Sequence, residues 1–73
     1  MMIHFTKYAE QKFEILNKHQ VYITREQVEG AVKAPDKIEK RGKYMAACRD
    51  GVEVLYKKEG EILRIITFFP MKC

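Results

Sequence analysis

The chain lacks any apolar run approaching the ~20 residues that a membrane-spanning helix needs. Its first residues, Met1 to Phe5, lack the apolar stretch of a secretory leader. Membrane and secreted classes are thereby set aside, and the expectation is a cytoplasmic protein with no membrane partner. Cysteine is scarce: Cys48 and Cys73 stand far apart, and such a pair reads as reduced thiols rather than as a disulfide framework. His4 and His19 have no second histidine or cysteine at ligand spacing, so neither a metal nor another cofactor is expected. The chain has no repeat, low-complexity segment or linker, so residues 1–73 form one domain. A domain this small buries only about 60–65% of the surface its unfolded chain exposes. Without cross-links its stability must come from packing, near the low end of about 5–15 kcal/mol, and a homodimer would add to it.

What is present is a globular composition, 47% hydrophobic and 33% charged, with a net charge of +4 and a pI of about 9.2. That balance favours anionic partners without by itself identifying a nucleic acid.

The front half is helical. Thr6 is an N-cap, and Ala9, Phe13 and Leu16 recur at helical spacing behind it, which predicts a helix over Lys7 to Lys18. Thr24-Arg25-Glu26-Gln27 is a capping box, with Ile23 and Val28 at the positions of a hydrophobic staple. The second helix therefore spans Arg25 to Lys33, with Val28, Ala31 and Val32 as its apolar stripe and Pro35 stopping it. Gly30 inside it costs about 1 kcal/mol relative to alanine, which either close approach to a neighbour or plain sequence drift would explain.

The back half is β-rich. Asp50-Gly51 and Glu59-Gly60 divide it into Lys43 to Arg49, Val52 to Lys58 and Glu61 to Phe69, and Asp-Gly between alternating apolar residues is a strong hairpin signal. Asp36 to Arg41 is a candidate fourth, edge strand whose charges discourage pairing with another chain. The expected fold is α+β: two N-terminal helices on one face of an antiparallel three- to four-stranded meander. With both turns read as two-residue loops, Met45, Ala47, Val52, Val54, Tyr56, Leu63, Ile65 and Phe69 lie under the helices. The opposite face then carries Tyr44, Ala46, Cys48, Glu53, Leu55, Lys57, Ile62, Arg64, Ile66 and Phe68, and a one-residue slip would exchange the two sets.

That mixed face is the one candidate site. In one reading Leu55, Ile66 and Phe68 form an interface to a second copy or another protein, with Glu53 and Arg64 paired across strands. In the other, Arg64 and Lys57 hold phosphates, Tyr44 or Phe68 stacks on a base, and Arg49 beside the Asp50-Gly51 turn is either a further phosphate contact or a solvated turn residue. Cys48 reads as a small packed thiol rather than a nucleophile, since no histidine is placed in sequence to activate it.

The string Phe5-Thr6-Lys7-Tyr8-Ala9, the capped helix ending in Ala34-Pro35-Asp36 and the closing Ile65-Ile66-Thr67-Phe68-Phe69 together resemble the small domains of uncharacterised function related to BrnT and RelE-like toxins. The resemblance spans nearly the whole chain. It implies a RelE-like fold with helices on one side of the sheet and the other face available to RNA. It also implies a toxin–antitoxin setting, with an antitoxin-like protein as partner. Toxins of that group cleave RNA without a metal, using basic, histidine and tyrosine side chains. Relatives often carry a histidine in the first helix where this chain has Tyr8, which weakens the expectation of ribonuclease activity, and no catalytic residue is assigned. The leading expectation is thus a RelE-like domain that binds RNA or a protein partner, the alternative a non-enzymatic module that homodimerises through the mixed face.

Overall fold

The computed structural model describes residues 2–73. Seven elements follow one another: β1 (Met2–Phe5), α1 (Lys7–Lys18), α2 (Arg25–Lys33), β2 (Lys37–Arg41), β3 (Tyr44–Arg49), β4 (Val52–Glu59) and β5 (Ile62–Pro70). The architecture is α+β, with a five-stranded sheet in the order β1-β5-β4-β3-β2. No helix among the described residues is long and apolar enough to cross a membrane.

Both helices form where their local signals set them. The Thr6 hydroxyl accepts from the Ala9 amide at the start of α1. At α2 the Thr24 side chain accepts from the Gln27 amide while the Gln27 carboxamide accepts from the Thr24 amide, both halves of a capping box. The apolar stripe of α1 lies against β5 and β1, and that of α2 against β3 and β4. Arg25 ties these parts together: it pairs with Glu10 of α1 and lies over the rings of Phe5 (4.7 Å) and Phe13 (5.2 Å).

The sheet departs from the expected meander in three ways. First, it is mixed and five-stranded, because Met2–Phe5 is a strand and pairs in parallel with Ile62–Ile65 of β5. A four-residue strand carries too little periodicity to be recognised alone, and its partner lies at the far end of the chain. Second, the β4–β5 turn is Gly60-Glu61, not Glu59-Gly60, with Glu59 opposite Ile62. Gly60 alone is at positive φ (61°) there, the backbone that a type II′ turn requires of its first central residue. This two-residue slide preserves the faces, so Leu63 and Ile65 stay beneath the helices as expected.

Third, a bulge between Leu55 and Tyr56 changes the register: Tyr56 pairs with Ile65, but Leu55 pairs with Thr67 and Val54 with Phe68. One extra residue on β5 exchanges inside for outside beyond that point. Phe68, assigned to the open face by strict alternation, is instead fully buried and stacks on Phe13 at 4.5 Å between ring centroids. Phe69 goes the other way, opposite Glu53.

At the β3–β4 hairpin Asp50 and Gly51 both have positive φ (52° and 77°), as a type I′ turn demands, and the β3–β4 register is the expected one. The core comprises Ala9, Leu16, Val28, Ala31 and Val32 from the helices with Ala47, Val52, Val54, Tyr56, Leu63, Ile65 and Phe68 from the sheet. Burial pushes the Tyr56 phenol up from its ordinary value, because the charged form would lose its hydration. Gly30 is not needed for close packing, since an added Cβ would meet only Arg49 Nη1 at 4.0 Å.

Candidate functional site: the open sheet face

The face away from the helices is built from alternate residues of all five strands. Ile3 and Phe5 pack against the core, so Met2 and His4 project to the opposite side. His4 lies beside Arg64 in the parallel β1–β5 register, and Arg64 lies opposite Lys57. The β3–β4 register, extended by one residue, sets Tyr44 beside Lys57, and Tyr44 is opposite Arg41 of β2. His4, Arg64, Lys57, Tyr44 and Arg41 thus form one row across the sheet. At about 4.8 Å per strand it spans roughly 19 Å.

The charges of this row are unequally engaged. Arg64 Nε is 2.7 Å from Glu59 Oε1, an exposed ion pair that orients the guanidinium and offsets part of its charge. Arg41 reaches along the sheet to Glu53 (3.1 Å) and also approaches Glu39 (3.5 Å). Lys57 has no acidic partner within ion-pair distance among the described residues. Tyr44 is half-buried, with the Lys43 ammonium 5.5 Å from its ring centroid. The next row, Thr67, Leu55, Ala46 and Glu39, is more apolar, and the one beyond it is Phe69, Glu53, Cys48 and Lys37.

The far end of the face is covered. After Pro70 the segment Met71–Cys73 folds back over β4 and β3 and is bonded through a Cys48–Cys73 disulfide, with the two Cα atoms 6.0 Å apart. The reading of these cysteines as reduced thiols is thereby corrected: a chain reversal brings together two residues whose separation in sequence carries no sign of pairing. Beneath the segment Ala46, Cys48 and Glu53 are buried, and a cavity of about 110 Å³ is lined by Lys37, Glu39, Arg41 and Lys72 among others. Glu53 Oε2 lies buried without a hydrogen-bond partner.

Of the nucleic-acid candidates, Arg64, Lys57 and Tyr44 fall together in the basic row. Arg49 does not join them, because it sits on the helix side, with Nη1 donating to the Ala34 carbonyl (3.4 Å) and Nε near Asp50 (3.7 Å). Of the interface candidates, Leu55 is half-buried on the open face. Ile66, at the bulge, lines a shallow groove with Tyr8 and Ile15 of α1, and Phe68 is core. Tyr8 thus belongs to the α1 side of that groove and is not a member of the basic row. Sequence reasoning considered His4 as a spatial substitute for the histidine of the relatives and set it aside as a lone histidine near a terminus, since only a strand at the N-terminus pairing in parallel with β5 sets it beside Arg64. Among the described residues no cluster of histidine, cysteine and acidic side chains could hold a metal ion. No family model matches the chain, and neither a curated protein nor a solved structure is significantly similar to it.

Proposed function

We propose that the open sheet face binds single-stranded RNA along the row His4, Arg64, Lys57 and Tyr44. The observation that carries this reading is the row itself. It aligns an uncompensated ammonium with a guanidinium, an imidazole and an aromatic ring, groups that can neutralise phosphates and stack on a base. The net charge of +4 and the resemblance to RelE-like toxins support it. An antitoxin-like acidic protein would cover the same cations. Metal-independent cleavage is the narrower proposal, supported by an imidazole next to a phosphate clamp with a phenol in the same row.

Fluorescence anisotropy with a labelled single-stranded oligoribonucleotide, over a range of salt, tests the binding. Each neutralised phosphate contributes about −0.7 to the slope of log K against log salt, so two or three contacts give roughly −1.4 to −2. No binding at low salt overturns the reading. Incubation with ribosomes and total RNA in a chelator tests cleavage, and a His4→Ala variant that binds but no longer cuts would place the imidazole in the chemistry.

The second reading, homodimerisation through the same face, is favoured by the apolar groups beside the row, chiefly Leu55, Phe69 and the exposed Ile62 and Met2. Sedimentation over a wide concentration range decides it, since a persistent monomer excludes the dimer.

A further inference from the structure

The Met71–Cys73 segment is a strap with few holds. The ladder ends at Pro70, and beyond it the Met71 amide donates to the Gly51 carbonyl at 2.9 Å. Lys72 and Cys73 are exposed, and what fixes the strap over β3 is the covalent bond to Cys48. Its two ends differ sharply: Cys73 is exposed, whereas Cys48 is only 4% exposed beneath it. The floor is also poised against closure. Glu53, which lines the cavity, is 5% exposed and has one carboxylate oxygen paired to Arg41, while the other is buried without a partner. A carboxyl oxygen kept from water without a partner opposes whatever covers it, so the covalent bond holds the strap down against the hydration of Glu53.

We propose that this disulfide is a thiol-exchange site, at which a low-molecular-weight thiol adds to Cys73 and thereby lifts the strap from the Glu53 cavity. The incoming thiolate attacks Cys73 Sγ, the accessible sulfur. A new S–S bond forms to Cys73, the Cys48–Cys73 bond breaks, and Cys48 leaves as the thiolate. The reverse step has Cys48 attack the mixed disulfide, expel the small thiol and close the strap again. Lys37, Arg41 and Lys72 line the cavity and favour the thiolate that departs, whereas Glu39 and Glu53 in the same lining oppose it, so the step is driven by the accessibility of Cys73 rather than by a cationic site at Cys48. Opening removes the cover from Ala46, Cys48 and Glu53 and extends the open face along β3 and β4 towards the Asp50-Gly51 turn.

Glutathione is the probe. The oxidised protein is treated with reduced glutathione, quenched in acid, alkylated and mapped by peptide mass spectrometry. The expected product carries glutathione on Cys73 and an alkylated Cys48. Glutathione on Cys48, or a Cys48–Cys73 bond that stays intact under reduced glutathione, overturns the proposal. A Cys73→Ser variant, altered at an exposed residue outside every strand, supplies the second measurement. Its Cys48 should react with iodoacetamide within about tenfold of an unstructured cysteine. The Met71 amide should exchange at least about tenfold faster than in the oxidised protein, while core amides are unchanged. An unreactive Cys48 with a still-protected Met71 amide would mean that the strap stays down without the bond, and the switch would be excluded.

Discussion

The two faces of this sheet are made by the same strands, yet they are held by different physics. Beneath the helices the face is aliphatic and aromatic, with Val54, Ile65 and Phe68 fully buried, and its stability is that of close packing. The open face carries a histidine, cations and a tyrosine in one row, and its fully buried side chains among the described residues, Ala46, Cys48 and Glu53, lie under a short strap. Among the described residues the helix face leaves no fully buried side-chain polar atom without a partner. The open face keeps one, Glu53 Oε2. The contrast separates the part of the molecule that specifies the fold from the part free to meet a ligand.

The sharpest way to break this comparison uses the two neighbouring phenylalanines on either side of the exchanged register. Phe68→Ala should cost about 3–5 kcal/mol in urea denaturation, the range for emptying an aromatic site in a core. Phe69→Ala, on the open face, should cost only about 1 kcal/mol. Equal losses would place the bulge elsewhere. A smaller effect is expected at the buried end of the open face. Arg41→Ala leaves Glu53 without its cation and should cost about 1–3 kcal/mol, most of it recovered when Glu53→Gln is added. An additive double variant would show the two side chains to be uncoupled.

On the helix face, Tyr56 supplies an effect confined to alkaline pH. Its folded-state phenol is pushed up by burial, so the neutral form is favoured in the folded protein. The associated stability is intact below the unfolded value of about 10 and is lost as pH rises through the folded one. Tyr56→Phe should flatten that alkaline decline, and an unchanged pH profile would remove the phenol as its cause. The least perturbing variant lies in the basic row. Lys57→Ala should leave stability within about 0.5 kcal/mol while reducing the salt slope of RNA binding by about 0.7. The same change at Lys18, exposed on α1, should leave the slope alone.

Legibility differed in the same way between the faces. Thr6, Thr24 and Gln27 announce both helices through contacts three residues away, and Asp50-Gly51 announces the first hairpin, so these elements stand where their residues predict. Arg64, Lys57 and Tyr44 could be grouped because a two-residue slide of register leaves every face unchanged. Phe68 and Phe69 could not be sorted, since a bulge is one extra residue that alternation does not record. His4 and the strap were hidden for another reason: their partners, Arg64 and Cys48, are distant in sequence, and no local preference of either residue reports the pairing.

What the sequence by itself determined is therefore what local geometry dictates: two capped helices, a type I′ hairpin, an α+β class and a net positive charge. Only the tertiary structure decided that β1 joins β5 in parallel, that the bulge turns Phe68 inward, that the basic row includes His4 and that Met71–Cys73 closes over Glu53. Caps, turns and alternation act between neighbours along the chain, whereas these four features balance packing, hydrogen bonding and chain closure over the whole domain.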